Sequence, residues 1–382
     1  MPQRVTVELL AQARPRLRAL VADAARRLPA ARYADVRLEV REEKRAVAEN
    51  GAEKGSSEDA VFGFTARVIA GRRAAAPGNW GQVLGAADVA RLEEVVWEGL
   101  HHAHARARAS ARHKADARGR LGTLGAALWD AALAPVPARQ DTVPAAFRVD
   151  PRAVPLADAV RLAVEASKAA RSVSDRVVYN VVVAQGIVQR ELVLTSEGAD
   201  IEQTFALSEG MVFLVASGQH GPYELYDFTG HQRGWEVLTE GYRSGAIVLE
   251  PLVAFARRLA ADAVEVADAP PLKPPDGEVV VVTDPHYNTL VVHEVVGHPS
   301  ELDRALKYET SYAGRSWLLK DLADHQVGRQ VASPLVSAFS DPTMEGFGFY
   351  RYDHEATPAR RAYHIRNGVY TEFLNNRQTA AL

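Results

Sequence analysis

Apolar residues near the start of the chain recur at helical spacing. Leu17, Leu20, Val21, Ala24 and Leu28 share one face of a helix over 16–28, and Pro29 ends it. From Tyr33 the period changes to two. Val36, Leu38 and Val40 alternate with Asp35, Arg37, Glu39 and Arg41, the pattern of a half-buried strand. Strand-like runs follow at 45–48 and 61–70, with Gly51 and Gly71 at turns. A second long helix runs from about Asp88 past Leu100, with Val89, Leu92, Val96 and Leu100 inward. Its continuation over 101–120 is rich in His and Arg and keeps little apolar period. It reads as a solvated helix extension, with a metal- or nucleic-acid-binding patch as the alternative.

Residues 121–155 contain Pro135, Pro137, Pro144, Pro151 and Pro155 and read as a connection between subdomains. A third helix covers 156–171. Four strand-like runs follow, at 176–184, 188–195, 201–207 and 211–216. Gln185-Gly186, Glu197-Gly198 and Glu209-Gly210 separate them, so the pattern predicts an antiparallel meander. Another helix spans 248–263. Pro270, Pro271, Pro274 and Pro275 mark a boundary. Beyond it, 278–283 reads as a short buried strand, and Asp284-Pro285 as a helix start with Asp at the N-cap. The expected class is α+β, with antiparallel sheets and packed helices in the N-terminal and central regions and a C-terminal region carrying a motif-bearing helix. The expected divisions are an N-terminal α+β domain over 1–120, a linker over 121–155, a central domain over 156–269 and a C-terminal domain over 276–382.

Composition narrows the function. The chain has 382 residues, is 47% hydrophobic and 24% charged, and carries a formal net charge of -3. Such a balance does not point to nucleic acid or an anionic membrane as a partner. There is no cysteine, so disulfides and thiolate ligands are excluded within this chain. The N-terminus lacks the apolar core of a signal peptide, and no uncharged apolar run approaches the ~20 residues of a membrane helix. A cytoplasmic location is expected.

The chemistry concentrates in His293-Glu294-Val295-Val296-Gly297-His298. Two imidazoles can hold a divalent metal, and an adjacent carboxylate can take a proton from water. In a straight α-helix, positions i and i+5 lie about 140° apart and cannot share one ion. Either a single π-type turn realigns them, or the helix unwinds at Gly297 before Pro299. Val292, Val295 and Val296 would bury the opposite face. The alternative for the histidines is a core or capping role. A catalytic zinc usually has three protein ligands. Glu301 is the nearest further oxygen, as ligand or as an acceptor that fixes an imidazole tautomer. Asp303, His325, His354, Glu355 and His364 are further candidates. Tyr223, Tyr226, Phe228 and Trp235 either line a peptide groove or pack on one another in a surface loop. No glycine-rich phosphate loop is present.

The segment 291–298, followed by Glu301, resembles the HExxxH segment of the TldD/PmbA metallopeptidases. Asp353-His354-Glu355-Ala356-Thr357-Pro358 resembles that family's acidic D-D-E-G-T-P loop, departing from it at His354 and Ala356. Asn367-Gly368-Val369-Tyr370-Thr371-Glu372-Phe373-Leu374, with Arg377 and Thr379-Ala380, resembles its C-terminal hairpin. The 33–37 and 61–70 segments and the 176–216 meander fit its N-terminal and central domains, so the resemblance spans nearly the whole chain. It implies a cytoplasmic zinc peptidase acting on unfolded peptides inside a two-subunit particle, as a homo- or heterodimer with a homologue. It further implies His293 and His298 as zinc ligands and Glu294 as general base. The family's third ligand is typically a cysteine, which this chain lacks, and members usually continue past the hairpin. The chain is therefore expected to be a truncated form. The alternative is a non-catalytic subunit or peptide-binding scaffold.

Overall fold

The computed structural model describes residues 8–122, 125, 128–273, 275–308 and 314–382. Met1–Val7, which were read for a leader, and Pro274 lie outside these residues. The chain forms two compact units. Of the described residues, those within 1–72, 77–112 and 138–273 form the first, and those within 73–76, 113–137 and 274–382 form the second.

The first unit is one sheet with helices. Helix α1 (Glu8–Arg27) leads into β1 (Ala31–Glu49), β2 (Ala52–Ala70) and β3 (Ala76–Leu84). After α2 (Ala86–Val89) and α3 (Leu92–Leu121, whose residues from 113 on belong to the second unit) come β4 (Gln140–Val143) and α4 (Leu156–Arg171). Strands β5 (Val177–Thr195), β6 (Asp200–Gly218) and β7 (Gly221–His231) follow. Then come α5 (Glu236–Glu240), β8 (Tyr242–Ser244), β9 (Ile247–Leu249) and α6 (Leu252–Ala267). The sheet order is β3-β2-β1-β5-β6-β4, with β7 also on β6. Only β4 runs parallel to its described neighbour. The α+β class holds.

Alternation along β1 sets the layers. Val36, Leu38 and Val40 are buried with α1 and α3, while Ala46 and Ala48 are buried with α4 and α6. All five have even numbers and therefore share one face of the strand. The odd positions carry charge, with Arg37 bonded to Glu39 and Glu191, and Arg41 to Glu43. Between the two apolar clusters, Lys44 Nζ donates to the carbonyls of Arg152 and Val154 at 2.6 Å each.

Three expectations change. The run at 45–48 continues β1, and β1 and β2 form one hairpin about Asn50-Gly51, whose φ angles of 51° and 85° fit a two-residue primed turn. The four-strand meander is two long strands. Gln185 pairs with Glu209 and Gly186 with Ser208 in mid-ladder, and only Glu197-Gly198 turns. Gly186 and Gly210 are close-approach glycines. A Cβ on Gly186 would meet Pro151 at 2.9 Å and Trp235 at 3.0 Å, and one on Gly210 would meet Leu252 at 2.5 Å. The 101–120 extension is not merely solvated: Ala103, Ala107 and Ala111 are buried, and His104 Nε2 bonds the Pro29 carbonyl at 2.8 Å.

The second unit is built of short pieces. These are α7 (Pro285–Val292), α8 (Leu302–Ala305), and strands β10 (Leu319–Asp321), β11 (Asp324–His325), β12 (Ala338–Ser340), β13 (Ala362–Arg366) and β14 (Val369–Tyr370). Its core gathers Leu302, Ala305, Leu318, Leu319, Ala338, Ile365, Tyr370 and Phe373. The segment 278–283 is not a buried strand. It joins none of the sheets, and Val280 and Val282 are 95% and 92% exposed. Its apolar residues point to both faces, so burying it needs cover on both faces, which the described residues do not supply. No described helix is long and apolar enough to cross a membrane.

Candidate metal centre

Helix α7 begins as its sequence demands. The Asp284 side chain accepts from Tyr287 N at 2.7 Å, and Pro285 takes the first turn, where no donor is needed. Past Val292 the helix widens. Residues His293–Gly297 form a π-type turn in which His298 N donates to the His293 carbonyl, five residues back. A tight 3₁₀ turn over His298–Ser300, with Pro299 inside it, ends the segment.

The wide turn solves the phase problem of the motif. A register of i to i+5 brings side chains five apart onto one face. The His293 and His298 rings lie 4.3 Å apart, centroid to centroid, at 74°. One ligand atom from each of His293, Glu294 and His298 falls within 4.8 Å of the others, and theirs is the group that forms among the described residues. Neutral imidazole nitrogen with carboxylate oxygen is a donor set suited to zinc and similar divalent ions, so the residues fit such an ion. His293 and Glu294 are exposed and His298 is half-buried.

Two local expectations differ. Gly297 does not unwind the helix. Its φ of -60° is right-handed helical, and a Cβ there would meet only the Val292 carbonyl at 3.8 Å. The valines do not bury a common face: Val296 packs on the core, while Val295 is 60% exposed and Val292 is exposed too. Adjacent helical residues lie about 100° apart, so Val296 can meet the core while Val295 faces outward.

The chain after the motif is held firmly. Ser316 Oγ donates to the Pro299 carbonyl at 2.5 Å. Leu374 N donates to the Ser300 carbonyl at 2.7 Å and Leu302 N to the Leu374 carbonyl at 3.0 Å, bracketing Glu301 between two backbone bonds. Glu301 Oε1 lies 2.8 Å from His298 Nδ1. Its Oε2 accepts from Arg304 Nε at 2.9 Å and Nη2 at 2.7 Å. Sequence reading singled out Glu301 but missed Arg304, whose spacing of three from Glu301 on a helical turn was the available signal.

The other candidates are placed elsewhere. The Asp303 carboxylate accepts from Arg304 N at 2.9 Å. His364 is buried against Ser340 Oγ at 2.8 Å, and burial pulls its imidazole below the usual range despite the opposing Glu372 carbonyl and charge. Glu355 accepts from Arg377 N at 2.6 Å. His325 pairs in β11 and His354 is exposed. Burial pushes the Asp353 carboxyl up, against the N–H groups of Thr357 and Glu355 that it accepts. In the same loop Ala356 is buried at φ 59°, a left-handed conformation that costs an alanine about 1–2 kcal/mol. In the first unit, Tyr226 and Phe228 meet edge to face on β7 and are exposed, whereas Trp235 is buried in the core, so the four aromatics do not form one cluster.

Residues 149–269 match the family model described as the PmbA/TldA metallopeptidase central domain, and 276–382 match the one described as its C-terminal domain. A metalloprotease of Methanothermobacter thermautotrophicus is 31% identical over 230 residues, 60% of this chain and 45% of that protein. A metalloprotease of Synechocystis is 28% identical over 250 residues, 65% of this chain and 49% of that protein. The chain thus spans less than half the length of these relatives. Among solved structures, TldE from Thermococcus kodakarensis superposes with a TM-score of 0.60 at 15% identity, over 95% of this chain and 70% of that one. A protein from Bacteroides thetaiotaomicron, described as a candidate modulator of DNA gyrase, superposes with a TM-score of 0.66 at 11% identity, over 97% and 74%. At such identities the likeness is one of fold.

Proposed function

The chain belongs to the PmbA/TldD metallopeptidase family, and on that premise we propose that it hydrolyses peptide bonds at a zinc ion held by His293 and His298, with Glu294 as general base. The observation that carries this reading is the wide turn, which gathers two imidazoles and one carboxylate within 4.8 Å. When bound, the ion supplies Lewis acidity that polarises a peptide carbonyl and eases deprotonation of water.

The protein groups do the rest. The Glu294 carboxylate takes a proton from water as the water oxygen bonds to the carbonyl carbon. It returns that proton to the amine nitrogen as the C–N bond breaks. His293 and Glu294 are exposed, so an extended chain can reach them, which favours unfolded peptides as substrates. The proposed partner is a second family subunit, since TldE is among the structures this fold matches.

Replacing Glu294 with Gln should lower peptidase activity by about 10²–10⁴-fold while zinc content stays near that of the parent. Activity unchanged in Glu294→Gln would overturn the assignment. A second reading has one observation in its favour. If Glu294 serves as base, the described group leaves only two ligands, which suits a non-catalytic peptide-binding subunit. Failure of the purified chain to retain zinc after reconstitution would decide for that reading.

A further inference from the structure

His298 can bind an ion through Nε2 only if its proton sits on Nδ1, because a neutral imidazole has one N–H and one lone pair. What faces Nδ1 therefore decides whether this residue can serve as a ligand. Among the described residues two groups face it, and they ask for opposite tautomers. Glu301 Oε1, at 2.8 Å, accepts and so favours Nδ1–H. Arg304 Nη2, at 3.5 Å, has only donors and favours a bare Nδ1. The shorter, charge-assisted contact wins. Arg304 in turn is only 6% exposed at its side chain and directs Nε and Nη2 at Glu301 Oε2. This engages the carboxylate on both oxygens and holds it toward the imidazole. The backbone on either side is fixed by the two bonds to Leu374.

We infer that Glu301 and Arg304 are positioning residues that act in series: Arg304 holds Glu301, and Glu301 sets the His298 tautomer that leaves Nε2 for the metal. Glu301 is then not the third ligand. This inference rests on the reading of His298 as a ligand and adds the device that makes it one. Its sharpest consequence concerns the removal of Glu301 alone. Among the described residues Arg304 would then be the polar group left facing Nδ1, pushing the proton to Nε2 and blocking the metal position.

The test uses the full chain, zinc titration against a chromophoric chelator, and imidazole nitrogen NMR of the metal-free protein, with melting curves to confirm folding. Glu301→Ala should weaken zinc binding by about 10–100-fold and move the His298 proton from Nδ1 to Nε2. Glu301→Gln, whose amide oxygen still accepts from Nδ1–H, should keep most of the affinity and the parental tautomer. The double variant Glu301→Ala/Arg304→Leu removes the opposing donor and should regain part of what Glu301→Ala loses. Unchanged affinity and tautomer in Glu301→Ala overturns the inference. Equal losses in Glu301→Gln and Glu301→Ala overturn it too, since they would make the carboxylate itself a ligand. A double variant no better than Glu301→Ala removes the role given to Arg304. A parent protein that binds no zinc counts against the metallopeptidase reading instead, while the metal-free tautomers still decide the clamp.

Discussion

Strands β1, β2, β5 and β6 each run 19 residues, whereas the strands of the second unit span two to five. The long strands stack their buried residues in two extended clusters, one with α1 and α3 and one with α4, α5 and α6. The second unit has one small cluster and leans on turns and side-chain bonds to backbone, such as those of Ser316, Asp353 and Asn376. Yet the candidate centre lies in this second unit. Regular ladders give every residue a repeating place. A group of ligands needs departures from repetition, here a π-type turn followed at once by a 3₁₀ turn. Irregular backbone of that kind is found where hydrogen bonds to non-neighbouring segments can hold it.

The strongest way to break this contrast is in the long-strand core. Leu192 is fully buried there, and Leu192→Ala should cost about 2–5 kcal/mol in denaturant unfolding of the first unit. A loss far smaller than that would mean the extended cluster is not what holds the sheet. The second unit should instead be sensitive at its turns. Gly368 has φ 81°, and a Cβ would press on the Ala332 carbonyl at 2.5 Å. Gly368→Ala should cost about 1–3 kcal/mol, read as lost amide protection across 362–374. The reciprocal change, Ala356→Gly, relieves a left-handed alanine and should raise the melting point, with a gain of about 1 kcal/mol or less after the lost methyl packing. A fall in melting point would show that this methyl matters more than its backbone angle.

The smallest effect concerns pH. In the unfolded chain an imidazole takes its proton below about pH 6.5. Burial keeps folded His364 neutral to a lower pH, so the unfolded state binds that proton first. Stability should therefore fall as pH drops from about 6.5 toward the folded value, and His364→Gln should flatten that slope in pH-dependent melting. An identical slope in the variant would remove His364 as its source.

Much of the first unit was legible because its residues repeat. Helix α4 matches its reading at both ends, and the even-numbered residues of β1 mark its buried face. The glycines misled. Gly186 and Gly210 carry the same symbol as turn glycines, but they make room for Trp235 and Leu252, which are distant in sequence. In the second unit the motif and the Asp284 cap were readable, since both are local. The exposure of 279–282 and of Val295 was not, because burial depends on what the rest of the fold brings alongside. The bracket of Leu374 bonds around Glu301 joins segments some seventy residues apart, and no local pattern encodes it.

The π-type turn also bears on how this chain tolerates changes in length. A five-residue hydrogen-bonded step holds one residue more than the α-helical step it replaces, so it absorbs a one-residue insertion without re-aiming what lies on either side. Deleting Val295 should close the turn to an ordinary helical step and convert the motif to His-Glu-x-x-His. The Asp284–Tyr287 cap upstream and the His298–Glu301 bond downstream should survive. Backbone chemical shifts over 284–304 would show whether the disturbance stays confined. If it does, the spacing of these histidines is a removable spacer within a frame that tolerates either length.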